Sequence, residues 1–252
     1  MTDPSTPTDA DEPRSPWLRG GFVLAAAFIG FVAVIAGAVV LTSDASGPDG
    51  DATPSRHTAD RATDRSPSPP DGDAGCPELA DTHQDVPTSA PRDVTWALYS
   101  SVAVPSSGKA GPAVVGEDVA RCYARTPVGS LLATSQISVR YLAADDWRKV
   151  TRLQTVGAGR DPYIAGRTKA EAESPTDRDG GTHGQIAGFK FVTYSESTAV
   201  IQTVWRFPDG RLQAATTTVL WRDGDWRLEY PAAPVAPTPV GSLAGYAEWG
   251  GV

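Results

Sequence analysis

The spacing of apolar and polar positions changes character along the chain, and each change marks a different kind of element. From Gly20 to Leu41 the run GGFVLAAAFIGFVAVIAGAVVL extends for 22 residues without a charged, amide or hydroxyl side chain. A helix rises about 1.5 Å per residue, so this run covers roughly 33 Å, enough to cross a hydrocarbon core about 30 Å thick. The pattern then inverts: Ser43 to Gly75 contains no Ile, Leu, Val, Met or aromatic residue. Such a segment cannot bury enough apolar surface to offset the entropy of ordering, and as a flexible coil it spans roughly 30 Å root mean square.

Beyond Cys76 the pattern is that of a folded domain. Residues 76–125 are punctuated by Pro77, Pro87, Pro91, Pro105 and Pro112, with Val94 to Val104 as one extended piece. Thr126 as N-cap and Pro127 at the first helical position open a helix, along which Val128, Leu131, Leu132, Ser135, Val139 and Leu142 recur at helical spacing. Asp145 and Asp146 open a shorter helix carrying Trp147, Val150 and Leu153, and Gly157 to Gly159 break it. Asp161-Pro162 caps a third helix, Tyr163 to Ala172, followed by a polar loop over 173–183.

From Gly184 the period falls to two. Phe189, Phe191 and Thr193 alternate with Lys190, Val192 and Tyr194; Ile201, Thr203, Trp205 and Phe207 alternate with Gln202, Val204 and Arg206. Pro208-Asp209-Gly210 and Asp223-Gly224-Asp225 are turn signals, and they separate a third strand, Leu212 to Trp221, from its neighbours; Trp226, Leu228 and Tyr230 make a fourth. Helices followed by an antiparallel meander predict an α+β fold with the helices on one sheet face. That face should bury Trp and Phe, while the other keeps Arg, Gln and Thr in water.

Charge orients the apolar run. Arg14 and Arg19 precede it and the first basic residue beyond it is Arg56, so the positive-inside rule keeps the N-terminus cytoplasmic; Trp17 suits the interfacial belt. A cleaved signal peptide competes, because Ala36-Gly37-Ala38 has the small-x-small spacing of a cleavage site, but the run exceeds the roughly 7 to 15 residues of a signal h-region. The expected organisation is a disordered cytoplasmic tail (1–19), a transmembrane helix (20–41) held in the lipid bilayer, a disordered linker (42–75) and an extracytoplasmic α+β domain (76–252). Gly30 and Gly37 lie seven apart without forming a clean Gly-x-x-x-Gly face, a weak signal for self-association of the span. Residues 1–75 hold 11 acidic and 5 basic side chains, which leaves 19 acidic and 17 basic beyond them. A nearly balanced domain without a basic stripe is not expected to bind nucleic acid directly.

Cys76 and Cys122 fall in the part placed outside, where an even pair most often forms one disulfide; two free buried thiols are the alternative. His57, His83 and His183 show no ligand spacing with each other or with the cysteines, so no metal site is expected. The sequence has no Gly-x-Ser-x-Gly elbow, no Gly-x-x-x-x-Gly-Lys-Ser/Thr loop and no His-Glu-x-x-His helix, and no catalytic residue or cofactor is expected. Asp145 and Asp146 read as helix caps before they read as an acid/base pair. His183 reads as a loop histidine, and Tyr163 and Tyr194 as tyrosines at the core edge. Trp205, Trp221 and Trp226 read as sheet packing. Tyr246 and Trp249, beyond the proline-rich run from Pro231 to Pro239, are the candidate partner surface: docked with Leu243 they stabilise the domain, undocked they form an exposed apolar patch.

The closing strand Val219-Leu220-Trp221-Arg222-Asp223-Gly224-Asp225-Trp226-Arg227-Leu228 and the element order resemble the cone-shaped nuclear-transport-factor-2-like fold over roughly 120–230. The stretch Ala120-Arg121-Cys122-Tyr123-Ala124-Arg125-Thr126-Pro127-Val128-Gly129-Ser130-Leu131-Leu132-Ala133 is similar to the helix-opening motif of a family of uncharacterised, membrane-anchored actinobacterial proteins often associated with integrative and conjugative elements. Asp93-Val94-Thr95-Trp96, Gly188-Phe189-Lys190-Phe191 and Trp249-Gly250-Gly251-Val252 resemble it too. A cone on a single anchor is also similar to scaffold components of type IV secretion machinery. The resemblance implies a non-catalytic scaffold or interaction protein of a conjugation or secretion assembly, with other membrane proteins as partners. The alternative expectation is an extracytoplasmic domain holding a small ligand in the cone cavity, as a sensor or delivery module. A wall-active enzyme is the third.

Overall fold

The computed structural model describes residues 75–173 and 183–251. The expected cytoplasmic tail over 1–19, the expected transmembrane helix over 20–41, nearly all of the expected linker and most of the 173–183 loop lie outside the described residues. Among the described residues no helix is long and apolar enough to cross a membrane.

The helix expected at Thr126 forms as α1, Pro127–Ala143. Thr126 caps it by accepting from the Gly129 amide at 3.1 Å and donates its own hydroxyl to Asp81 at 2.6 Å, so a local signal also fixes a distant arm. The helix is not a surface helix with one apolar stripe. Its buried set includes Gly129, Ser130, Ala133, Thr134, Ser135, Gln136 and Arg140 beside Leu131, Leu132, Ile137 and Val139, so neighbours close on it from several sides. Leu142, expected on the inner stripe, is exposed instead, and Arg140 is buried. Small polar residues make this burial tolerable: the hydroxyls of Ser130, Thr134 and Ser135 donate to the carbonyls of Pro127, Ser130 and Leu131 at 2.8, 2.8 and 2.9 Å, leaving no hydroxyl donor orphaned.

Helix α2 spans Trp147–Gln154, with Asp146 accepting from the Lys149 amide at 2.9 Å. Helix α3, Arg160–Glu173, starts one residue before the expected Asp161-Pro162 cap. Its Arg167 and the neighbouring Arg148 each lie over the Trp147 ring, 4.2 and 4.4 Å from its centroid, and both also pair with Glu171.

The expected meander is present as β6 (Gln185–Ser195), β7 (Thr198–Arg206), β8 (Leu212–Arg222) and β9 (Asp225–Glu229), all antiparallel neighbours. A short β5, Thr155–Val156, joins β9 in parallel, and β11, Ala247–Glu248, joins β6 antiparallel. The sheet therefore runs β11-β6-β7-β8-β9-β5, with β10 (Thr238–Val240) paired to the free half of β8. The extended piece at 94–104 is a hairpin of its own, β1 (Thr95–Tyr99) and β2 (Val102–Ser106), turning at Ser100 with φ 54°. β3 (Val114–Val115) and β4 (Ala120–Arg121) form a second, smaller hairpin.

One sheet face meets α1 through Phe189, Ile201, Val219, Trp226 and Leu228. The other face departs from expectation. It carries Gln202 and Lys190, but Val204 and Ala214 on it are buried, because the C-terminal segment crosses it between β10 and β11. Gly188 permits the crossing: a Cβ there would lie 2.9 Å from the Ala247 carbonyl and 3.4 and 3.6 Å from Leu243 and Tyr246.

Candidate interaction surface

Cys76 and Cys122 form the expected disulfide across 46 residues, with Cα atoms 5.2 Å apart. Around Cys122 the structure adds something the cysteine pattern did not contain. Cys122 is fully buried and takes φ 71°, and its amide donates to Asp225 at 2.8 Å. The amides of Tyr123 and Trp226 donate to the same carboxylate at 3.0 and 2.9 Å. Burial pushes the Asp225 pKa up, and these three amides and Arg227 pull against that shift. Asp225 was legible as a turn residue; its long-range role was not, since it serves amides some 100 positions earlier.

Trp249 is not on an exposed patch. It is buried, its ring centroid 4.8 Å from Trp96 and 5.4 Å from Phe189, and its amide donates to the Ala187 carbonyl at 3.1 Å. Edge-to-face aromatic contact and removal of indole surface from water favour this docked state over the candidate partner patch. Tyr246 is half-buried, with its hydroxyl donating to Gln202 at 3.2 Å. Beside Trp249 a shallow groove of about 380 Å³ is walled by Pro91, Trp96, Ile186 and Leu243, with Arg206 and Glu248 in its lining.

The other singled-out residues also serve structure. Trp226 is fully buried and donates its indole N–H to the Ala124 carbonyl at 2.9 Å; Trp221 packs on it at 5.4 Å under the Arg125 guanidinium. Trp205 is half-buried against Val102 and Val104 of the hairpin. Tyr163 joins Tyr141 and Tyr230, and burial raises all three phenol pKa values, that of Tyr230 to about 12. Tyr194 donates to Gln84 at 2.8 Å, with burial lifting its pKa to about 12. His183 lies 3.3 Å from the Ser101 hydroxyl, and Asp145 borders a shallow acidic depression with Glu117 and Asp118. Among the described residues no group of three acidic, histidine or cysteine side chains is placed to hold a metal ion.

Arg140 and two glutamines do work that sequence reading missed. The Arg140 guanidinium lies 4.0 Å from the centre of the Tyr99 ring and donates to the Glu117 and Asp118 carbonyls at 3.2 and 3.0 Å and to Gln136 at 2.9 Å. Gln136 in turn donates to the Pro105 carbonyl at 2.9 Å. Gln185 accepts from the Ala103 amide at 2.9 Å and donates to the Ser101 carbonyl at 2.6 Å. The only available signal was a basic residue three positions from Ile137 and one from Val139, inside an apolar stretch.

Neither any curated protein nor any solved structure matches the sequence. One family does, over residues 57–248, a span that takes in the disulfide, α1, the whole meander and β11. The chain therefore belongs to the family described as Domain of unknown function (DUF8175).

Proposed function

We propose that the chain is a single-pass membrane protein whose folded domain stands outside the cell membrane as a non-catalytic interaction module, a scaffold in a conjugation or secretion assembly. The observation that carries this reading is the filled interior. Between α1 and the sheet, where a cone fold of the nuclear-transport-factor-2 type can hold a ligand, Trp226, Phe189, Leu131, Leu132, Ile137 and Ile201 occupy the space and are all but inaccessible to solvent. The buried charged side chains Asp225 and Arg140 are committed to the fold, Asp225 to three amides and Arg140 to two carbonyls. The disulfide suits an oxidising compartment, and the apolar run over 20–41 suits an anchor.

Photo-cross-linking from exposed positions of the domain, in cells carrying the whole assembly, tests it. Discrete adducts with other membrane proteins are expected, and a domain that stays solitary at native abundance overturns the reading. The small-ligand alternative would use the groove lined by Trp96 and Trp249. A stoichiometric small molecule retained on purification and released by Trp96→Ala would favour that alternative.

A further inference from the structure

The two edges of the β1–β2 hairpin are finished differently. β2 has its outer edge closed: Pro105 has no amide to offer, Gln136 takes its carbonyl, and the Gln185 side chain takes both the Ser101 carbonyl and the Ala103 amide. The register Trp96↔Pro105 and Leu98↔Ala103 then places the amides and carbonyls of Trp96 and Leu98 on the opposite, outer edge of β1. Among the described residues no strand pairs with that edge. It carries none of the usual protection, since Thr95–Tyr99 has no charge and no proline, and Leu98 is 73% exposed.

Two undescribed segments of this chain, 43–74 and 174–182, make poor occupants. Residues 43–74 contain no Ile, Val, Leu or aromatic residue, and 174–182 read SPTDRDGGT. β1 itself is self-complementary. Paired antiparallel with its own copy about Ala97, it places Trp96 against Leu98 in the ladder positions that exchange both hydrogen bonds. Ala97 then meets Ala97 in the close, non-bonded position, where Cα atoms approach to about 4.5 Å and a small side chain fits.

We propose that the free edge of β1 takes the β1 strand of a second copy of this chain, antiparallel about a two-fold axis at Ala97, giving one continuous β2-β1-β1-β2 sheet. The partner's Leu98 packs against Trp96, and Leu98 against the partner's Trp96. A strand pair this short buries less than the roughly 1,200 Å² of a standard interface, so the contact is weak between freely diffusing copies. Copies anchored in one membrane meet at a far higher effective concentration. In that respect alone the inference rests on the membrane-anchored reading above.

The test uses the full-length chain in its membrane. Ala97→Cys, under mild oxidation, is expected to give a reducible dimer about tenfold above that of Val115→Cys, an exposed control on another hairpin. Adding Leu98→Pro, which removes an outward amide that β2 does not use, or Leu98→Lys, which puts a charge on the edge, is expected to return the dimer to the control level. A dimer no stronger than the control, a dimer indifferent to both Leu98 variants, or a disulfide to a protein of another mass overturns the inference. Because photo-cross-links from other surfaces report the assembly separately, a monomeric Ala97→Cys chain that still yields those adducts sinks this inference and leaves the interaction reading standing.

Discussion

Among the contacts that fasten the irregular arm before α1 to the domain, two differ in kind. Near its start the bond is covalent and hydrogen-bonded: the disulfide joins the arm to Cys122, and the buried Asp225 carboxylate accepts from the Cys122 and Tyr123 amides. Near its end the bond is aromatic: Trp96 meets Trp249, with Phe189 behind. The first kind concentrates stability in few groups and fails abruptly when one is lost. The second spreads it over surface contact and fails gradually.

Breaking the first fastening should have the largest effect. Replacing both cysteines by Ser is expected to destabilise the domain by up to about 4 kcal/mol from a closed loop of this length, read as a fall in urea midpoint between oxidised wild type and variant. Asp225→Ala leaves three amides without an acceptor and should lower stability by about 3 kcal/mol with the disulfide intact. If it lowers stability by less than the loss of one ordinary hydrogen bond, the carboxylate is not a fastening. Trp249→Ala is expected to reduce stability by about 2 kcal/mol, less than a central core Trp, because the segment across the sheet can open by itself; faster amide exchange at Trp249 with unchanged exchange at Cys122 would show that independence.

The smallest effect concerns pH and belongs to Asp225 alone. Its folded pKa is raised above the ordinary 3.8, so the folded state holds the proton more tightly than the unfolded one. The stabilising contribution is therefore full below 3.8 and is lost as pH rises through the folded value. Between neutral pH and pH 4 the wild type should lose less stability than Asp225→Asn, and parallel melting curves for the two would contradict it.

What the sequence made legible was local. Thr126-Pro127 announces α1, Asp146 announces α2, and the turns at Pro208-Asp209-Gly210 and Asp223-Gly224-Asp225 divide the meander, because each signal acts on backbone within a few residues. What stayed hidden was long-range. Nothing near Gln185 says that its amide will stand in for a strand residue, and nothing near Arg140 says that Tyr99 will lie beneath its guanidinium. The periodicity placed Leu142 on the inner stripe because it assumed one covered face, whereas a helix closed in from several sides lets Arg140 inward and leaves Leu142 in water. For Trp249 the sequence left docked and undocked states open, and only the neighbouring Trp96 and Phe189 rings decide between them.

The carboxylate at Asp225 also makes the seat of Cys122 depend on a distant turn. Its acceptor oxygens stand where they do only while β8 and β9 are closed around the Asp223-Gly224 corner, so the half-cystine and the strand pair share one anchor. A distortion of that corner therefore reaches the disulfide through a single side chain.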